Sequence, residues 1–148
     1  MKDFCIIGSG ISGSTIAHIL SKKHSLDVYD KARGAGGRSS NKKFNKNESF
    51  DHGAQYISPK GNQFKKFINT LITKKIVKKW SGKHMFLNED KKEDKKHIKI
   101  IGNKGNNSIS KYLLKNINCT FNTELIKISN KDKIWELDFS DGTKKFYK

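Results

Sequence analysis

Three glycines near the start of the chain have the spacing of a loop that holds the phosphates of a dinucleotide. Gly8, Gly10 and Gly13 follow an apolar run at 4–7 and precede an apolar pattern with helical spacing. The sequence therefore predicts a strand, a glycine turn and a helix, which is the context that makes this spacing informative. Gly8 allows a sharp turn, Gly10 lets a pyrophosphate approach the backbone, and Gly13 lets the helix lie close to the strand. The pyrophosphate would face the positive end of that helix and its unpaired N–H groups.

An acid and an arginine-rich segment follow at the positions where a dinucleotide would need them. A predicted second strand ends in Asp30, about 20 residues after the glycines, where a carboxylate can accept hydrogen bonds from ribose hydroxyls. Its charge would repel a 2′-phosphate, which favours FAD or NAD over NADP. The segment RGAGGR at 33–38 comes next, and an Arg guanidinium offers a fork of donors to phosphate oxygens. Arg33 and Arg38 are the chain's only arginines, so these positions are predicted to need a guanidinium.

The strong positive charge of the chain suggests a different class of partner. A formal net charge of +17 is compatible with a nucleic-acid-binding protein. The lysines are spread along the chain, however, and no nucleic-acid-binding motif accompanies them, so we interpret the charge as a solvated surface and expect no nucleic-acid partner. No stretch approaches the roughly 20 apolar residues of a membrane span, and the first residues lack the pattern of a signal peptide. We therefore expect a cytoplasmic protein without a membrane partner.

Length and cysteine content set further limits. A chain of 148 residues can form one domain with its own core. Cys5 and Cys119 are its only cysteines, and they lack the spacing of a zinc site. We predict no metal site, expect no disulfide in a cytosolic chain, and interpret Cys5 as a small core residue.

Apolar periodicity and turn residues predict the secondary structure. The first strand, over 3–8, has the apolar residues of a parallel strand covered on both faces. A helix is expected over 11–23, a loop over 31–50, and a second helix over 61–79, with a strand at 76–80 as the alternative for its end. The later predictions, in chain order, are a strand at 83–86, an exposed charged loop at 88–96, a strand at 98–101, a helix capped by Asn107 or Ser108, a third parallel strand at 119–121, and a hairpin over 133–147 that turns at Asp141 and Gly142.

Three motifs, taken together, resemble the flavin-dependent amine oxidase superfamily and, within it, the renalase-like FAD/NAD(P)-dependent oxidoreductases. They are GSGISG at 8–13, VYDKARGAGGRSS at 28–40 and FDHGAQYIS at 50–58. The resemblance continues weakly through IGNKGNNSISKYL at 101–113 and WELDFSDG at 135–142, so it covers essentially the whole chain.

That resemblance implies an α/β fold: a Rossmann-like FAD-binding domain of the GR type with the start of a second, mostly antiparallel β substrate domain. Residues 1–58 would form the FAD-binding βαβ unit, 59–101 part of the substrate domain, and 102–148 a β-meander of the FAD domain. The implied activity is hydride transfer from a small reduced substrate, such as an NAD(P)H isomer or an amine, to the flavin, with oxygen as acceptor. The family's proteins are considerably longer, so we expect an N-terminal portion that needs a missing C-terminal half as its partner for catalysis.

The motifs also imply particular cofactor contacts. The implied contacts are Gly8, Ser9, Gly10, Ile11 and Ser12 at the FAD pyrophosphate, Asp30 at the adenosine ribose, Arg38 at phosphate, and Gln55 and Tyr56 beside the isoalloxazine, with Lys31, Gly37, Gly53 and Ala54 as further cofactor-binding residues. No catalytic residue is predicted, because hydride chemistry belongs to the flavin. Asp51 and His52 are not expected to act together, since neighbours on a strand point to opposite sides.

An NAD-binding dehydrogenase module is the alternative hypothesis. Like the FAD hypothesis, it would account for the glycine loop and for Asp30. It gives no reason for the RGAGGR segment or for GAQY at 53–56, and the FAD hypothesis is therefore preferred.

Overall fold

The computed structural model describes residues 1–82 and 98–148. The predicted strand at 83–86 and the predicted loop at 88–96 lie outside these residues. The described α-helices are α1 (Ile11–Leu20), α2 (Asn62–Thr73) and α3 (Ser108–Leu113), and a short 3₁₀ turn covers Gly37–Ser39. The described strands are β1 (Phe4–Ile7), β2 (Leu26–Tyr29), β3 (Asn41–Lys43), β4 (Ser49–Asp51), β5 (Val77–Lys79), β6 (Ile100–Gly102), β7 (Cys119–Thr120), β8 (Leu125–Lys131), β9 (Ile134–Phe139) and β10 (Lys144–Tyr147).

A parallel sheet carries the beginning of the chain, as the sequence predicts. β2 lies between β1 and β7, and β7 is the predicted third parallel strand. β1 and β2 pair in register from Phe4 opposite Leu26 to Ile7 opposite Tyr29. α1 follows β1 and buries Ala17 completely in the core cluster that includes Leu26, so the small residue lets the helix lie close to the sheet.

Two predictions for this region are wrong. α1 ends at Leu20 and not at residue 23, because the N–H groups of Lys23 and His24 both donate to the Leu20 carbonyl and turn the chain towards β2. β1 is not covered on both faces, since Phe4 is 38% exposed and Ile7 is 48% exposed. β1 is the end strand of its described sheet, and end strands have fewer elements packed over them.

A second core forms around α2, β5, β6 and α3. Ile68 and Leu71, from the predicted apolar stripe of α2, are buried in it, whereas Phe64 of the same stripe is exposed. The helix ends at Thr73, and the chain turns and returns as β5, which confirms the strand alternative for the end of this segment. β5 pairs antiparallel with β6, the strand that was expected slightly earlier, at 98–101.

The prediction of a loop over 31–50 is wrong for the second half of this segment, which forms a hairpin. β3 and β4 pair antiparallel, with Asn41 opposite Asp51 and Lys43 opposite Ser49. The turn between them is held by Asn45, whose side-chain oxygen accepts from the N–H of Glu48 at 2.8 Å. No strand was predicted here because the strand residues are mostly polar and do not alternate with apolar ones.

The last three strands form an antiparallel meander in the order β8, β9, β10. The predicted hairpin is confirmed, with Gly142 at φ 80° in its turn and β9 paired to β10. The Phe139 ring stacks on Tyr29 of the parallel sheet, with ring centroids 4.2 Å apart. The Tyr147 hydroxyl donates to Asp27 at 3.0 Å, so the meander is fixed onto the parallel sheet.

Three further findings concern membrane-spanning helices, metal ligands and the two cysteines. Within 1–82 and 98–148, no helix is long and apolar enough to cross a bilayer. The same residues hold no group of three or more His, Cys, Asp or Glu placed to bind a metal ion. Cys5 and Cys119 are free and partly buried, and burial raises the pKa of the Cys5 thiol to about 11.

Candidate functional site

The glycine turn between β1 and α1 is held by its own backbone. Gly8 has φ 97°, and its N–H donates to the Tyr29 carbonyl at 2.7 Å. A Cβ on Gly13 would lie 1.9 Å from the Gly8 carbonyl oxygen, so only glycine fits at this helix–turn contact. α1 has no capping side chain at Gly10 and no acid in its first turn. The N–H groups at this end of α1 are therefore left for an anion.

The Asp30 carboxylate lies directly against this turn. Its Oδ2 accepts from the Ser9 N–H at 2.6 Å and from the Ser9 hydroxyl, and its Oδ1 accepts from the Ala32 N–H at 2.8 Å. Partial burial raises the pKa of Asp30, but these hydrogen bonds outweigh it and hold the pKa below its ordinary value. The ionised carboxylate has further lone pairs, so it can still accept from a hydroxyl of a ligand.

The glycine pair of the RGAGGR segment meets the same turn. The Gly36 N–H donates to the Ser9 carbonyl at 3.1 Å, and Gly36 forms a parallel bridge with Gly10. Gly36 has φ 143° and Gly37 has φ 53°, and a Cβ on Gly37 would lie 3.1 Å from the Gly10 Cα. The two glycine-rich segments, distant in sequence, thus form one backbone surface that side chains would obstruct.

Arg38 follows this glycine pair and is exposed. Among the residues that the structure describes, no acceptor binds its guanidinium, so the fork of donors is available to an anion. Lys31, also predicted to bind the cofactor, instead extends to Glu124, with 3.5 Å between Nζ and Oε1 in an exposed pair. Ile11 and Ser12, the first residues of α1, are exposed beside the turn.

The segment Gly53–Tyr56 packs on the backbone of Arg38. The Ala54 N–H donates to the Arg38 carbonyl at 2.7 Å, and a Cβ on Gly53 would come within 2.0 Å of that same oxygen. Gln55 and Tyr56 are exposed. The Tyr56 ring lies 6.0 Å from the Trp80 ring, and the Lys99 ammonium lies 5.0 Å from its centroid. The structure therefore brings Gly53 and Ala54 to the turn at Gly37–Ser39, called the arginine turn below. It places Tyr56 beside Ile57, which packs against the second core.

Asp51 and His52 have separate partners, as the sequence predicts. Asp51 Oδ1 accepts from the side chain of Asn41 at 3.0 Å and from the N–H of Asn106 at 2.9 Å. His52 Nε2 lies 3.0 Å from the hydroxyl of Ser40. The acid supports the hairpin from inside, while the imidazole is exposed.

Asn106 is a residue of this region that the sequence analysis missed. It is fully buried, and its Nδ2 donates to the Ala54 carbonyl at 2.7 Å and to the Gln55 carbonyl at 3.0 Å. Its Oδ1 accepts from the Gly102 N–H at 2.7 Å. A polar loop residue after a glycine gives no periodic signal. The one available sign was its position within the segment that weakly resembles the family.

Asn107 was predicted only as a helix cap, and its side chain makes no capping hydrogen bond. It is 6% exposed, and its buried Oδ1 has no hydrogen-bond partner among residues 1–82 and 98–148. A Cβ on Gly36 would lie 2.8 Å from the Asn107 Cβ, so this amide sits beside the glycine pair. An unpartnered buried acceptor is costly, by about 1–3 kcal/mol, and at this position a polar ligand or an ordered water would relieve that cost.

These features fit a dinucleotide. The glycine surface lets a diphosphate reach the backbone, Arg38 supplies exposed donors, and Asp30 supplies a negatively charged acceptor. The glycine turn, the glycine pair and Asp30 are already positioned by hydrogen bonds to their neighbours, so binding requires little rearrangement of these groups.

Comparison with known proteins supports the fold. Residues 6–71 match the family model for an NAD(P)-binding Rossmann-like domain. The chain is similar in structure to tetracycline destructase Tet(51), with 16% identity, a TM-score of 0.65, and coverage of 99% of this chain and 37% of that one. It is also similar to a putrescine oxidase variant redesigned for cofactor binding, with 10% identity, a TM-score of 0.71, and coverage of 99% and 56%.

A third similar structure is a protein from Photorhabdus luminescens subsp. laumondii TTO1 described as an FAD-containing monooxygenase. It has 19% identity and a TM-score of 0.60, and the match covers 99% of this chain and 38% of that one. The chain thus spans between 37% and 56% of the length of these structures. At such identities the likeness shows the fold alone, and the predicted Rossmann-like α/β fold is confirmed.

Proposed function

We propose that the chain is the FAD-binding part of an FAD-dependent oxidoreductase. The observation that carries the proposal is the meeting of three features: the glycine turn, the Asp30 carboxylate, and the glycine pair that leads to the exposed Arg38 guanidinium. A carboxylate and a guanidinium beside exposed backbone N–H groups suit a ligand that has both ribose hydroxyls and a pyrophosphate. The neighbour described as an FAD-containing monooxygenase supports this choice of dinucleotide.

Each residue would have a distinct task toward the cofactor. The N–H groups at the start of α1 and the Arg38 guanidinium would bind the pyrophosphate, while Asp30 would accept from the adenosine ribose. Gln55 and Tyr56 would lie beside the isoalloxazine. When bound, the flavin supplies the capacity to accept a hydride, and the protein binds it, orients it and shields it from water.

The proposal extends to the reaction of a longer protein. The substrate would be a small reduced molecule, an NAD(P)H isomer or an amine, as in the renalase-like enzymes that the motifs resemble, with oxygen as electron acceptor. A neighbour named putrescine oxidase supports oxidation of a small molecule as the reaction class. The remaining length of the matched structures supports a further polypeptide that completes the enzyme.

The test is a titration of the purified 148-residue chain with FAD and, separately, with NADH. Quenching of flavin fluorescence should report saturable FAD binding that is tighter than NADH binding at the same ionic strength. No FAD binding, or a clear preference for NADH, would contradict the proposal. The preference for NADH would instead support a dehydrogenase module, the hypothesis that the family match to an NAD(P)-binding domain favours.

A further inference from the structure

Asn106 connects the segment expected to flank the flavin with the loop that precedes α3. Its side-chain Nδ2 donates to two successive carbonyls, Ala54 and Gln55, at 2.7 and 3.0 Å. Its Oδ1 accepts from Gly102 N–H at 2.7 Å. The residue is fully buried, so its carboxamide satisfies all of these groups where water cannot substitute for it.

Asn106 is also connected to the arginine turn, through Ala54. The Ala54 N–H donates to the Arg38 carbonyl at 2.7 Å, while the Asn106 N–H donates to Asp51 at 2.9 Å. Asn106 thus holds one side of the peptide segment whose other side is bound to Arg38. A change at Asn106 would free Ala54 and Gln55 without touching Asp30 or the glycine turn directly.

Fixing two carbonyls also fixes the direction of two N–H groups. In a trans peptide the N–H points opposite to the carbonyl, and the described chain has no cis peptide. With the Ala54 and Gln55 carbonyls turned toward Asn106, the N–H groups of Gln55 and Tyr56 are turned away from it. No acceptor for these two N–H groups occurs among residues 1–82 and 98–148, and both residues are exposed.

We propose that Asn106 is a positioning residue that orients the Gln55–Tyr56 backbone as a pair of hydrogen-bond donors for the flavin half of the dinucleotide. The inference rests on the proposed function and adds to it a residue that neither touches the cofactor nor belongs to the three motifs. The adenine half is held by Asp30 and the glycine turn, which Asn106 does not contact. Loss of Asn106 should therefore weaken binding of FAD and leave binding of ADP, the adenine half alone, nearly unchanged.

The experiment measures FAD and ADP dissociation constants for the wild-type chain, Asn106→Ala and the matched control Asn118→Ala. Asn118 also donates to a distant group, with 2.7 Å from its Nδ2 to Asp27 Oδ1, but lies away from the glycine turn. Asn106→Ala should raise the FAD constant about tenfold, the scale of one or two lost hydrogen bonds. Its ADP constant should change less than about threefold, and Asn118→Ala should leave the ratio of the two constants as in wild type.

A purely structural role would change both constants equally, and that result would overturn the inference. Asn106→Asp serves as the second variant, because it keeps the shape and the acceptor for Gly102 but loses the paired donors. It should show the same selective loss, together with faster amide hydrogen exchange at Ala54 in the ligand-free chain. Unchanged FAD binding in both variants would overturn this inference alone, whereas a wild-type chain that binds ADP and FAD equally poorly would overturn the proposed function as well.

Discussion

Asp27 and Asp30 lie close together along β2 and its end, but their partners come from different parts of the molecule. Asp27 is 7% exposed and binds side chains from the chain start, the segment before β7 and the last strand. These are Lys2 at 2.6 Å, Asn118 at 2.7 Å and Tyr147 at 3.0 Å. Asp30 binds Ser9 and Ala32, both in the turns around the candidate site.

Asp27 is therefore a structural carboxylate, whereas Asp30 is suited to bind a ligand. Burial raises the pKa of Asp27, but its bonds to Lys2, Asn118 and Tyr147 outweigh this and hold the pKa below its ordinary value. Burial and, to a lesser extent, the neighbouring Tyr29, Cys5 and Asp27 raise the pKa of Tyr147. Its hydroxyl therefore stays protonated and can donate a hydrogen bond. The same direction of pKa shift at Asp30 arises largely from the turn itself. A lowered pKa therefore does not distinguish the two roles, whereas the origin of the partners does.

The largest expected effect comes from removing the structural carboxylate. Asp27→Ala would remove the carboxylate that accepts from the buried Tyr147 hydroxyl and from the Asn118 amide, and would unpair Lys2. We expect a loss of about 3 kcal/mol in the free energy of unfolding, measured by urea titration. The control, Asp30→Ala, should lose about 1 kcal/mol or less. Equal losses in the two variants would remove the distinction between the carboxylates.

The reverse pattern is expected for ligand binding. Asp30→Ala removes the acceptor proposed for the ribose hydroxyls and should weaken FAD binding about thirtyfold, which corresponds to about 2 kcal/mol for hydrogen bonds to a charged group. Isothermal calorimetry or flavin fluorescence would measure this change. Asp27→Asn, which keeps the shape at the structural position, should change the same constant less than about twofold.

A smaller effect on binding is expected at the guanidinium. Arg38→Ala should raise the FAD dissociation constant about tenfold, because an exposed guanidinium contributes one charge-assisted contact to phosphate. Lys43→Ala, which removes one exposed charge from the neighbouring β3, is the matched control and should have little effect. If both variants lost affinity alike, general electrostatic attraction by a basic surface would explain binding better than a specific contact.

The smallest effect is a difference in the pH dependence of stability. Both aspartates have folded-state pKa values lowered below the unfolded value of about 3.9. Their contribution is therefore present above about pH 4 and is lost as the pH falls through the lowered folded-state values. Asp27→Asn should flatten this acid limb by less than about 1.4 kcal/mol per pH unit, the limit for one proton. A limb identical to that of wild type in acid-titrated urea unfolding would contradict the assignment.

Local sequence patterns were sufficient to predict the features that depend on neighbouring residues. The spacing of Gly8, Gly10 and Gly13 determined the turn, because its steric demands arise within one strand–turn–helix unit. Apolar runs determined the parallel strands, the periodic stripe determined most of α2, and Asp141-Gly142 determined the last hairpin. Each of these signals is complete within a window of a few residues.

Features whose partners lie far apart in the chain could be recognised only in the folded molecule. The polar β3–β4 hairpin is connected to Asn106 through Asp51, and Asn106 itself became visible only when its carboxamide met Ala54 and Gln55. Likewise, the structural role of Asp27 could be distinguished from the proposed ligand-binding role of Asp30 only from the contact between Asp27 and Tyr147 in the folded chain. A polar residue acquires its role from the groups that surround it after folding, and those groups leave no periodic pattern in the sequence around it.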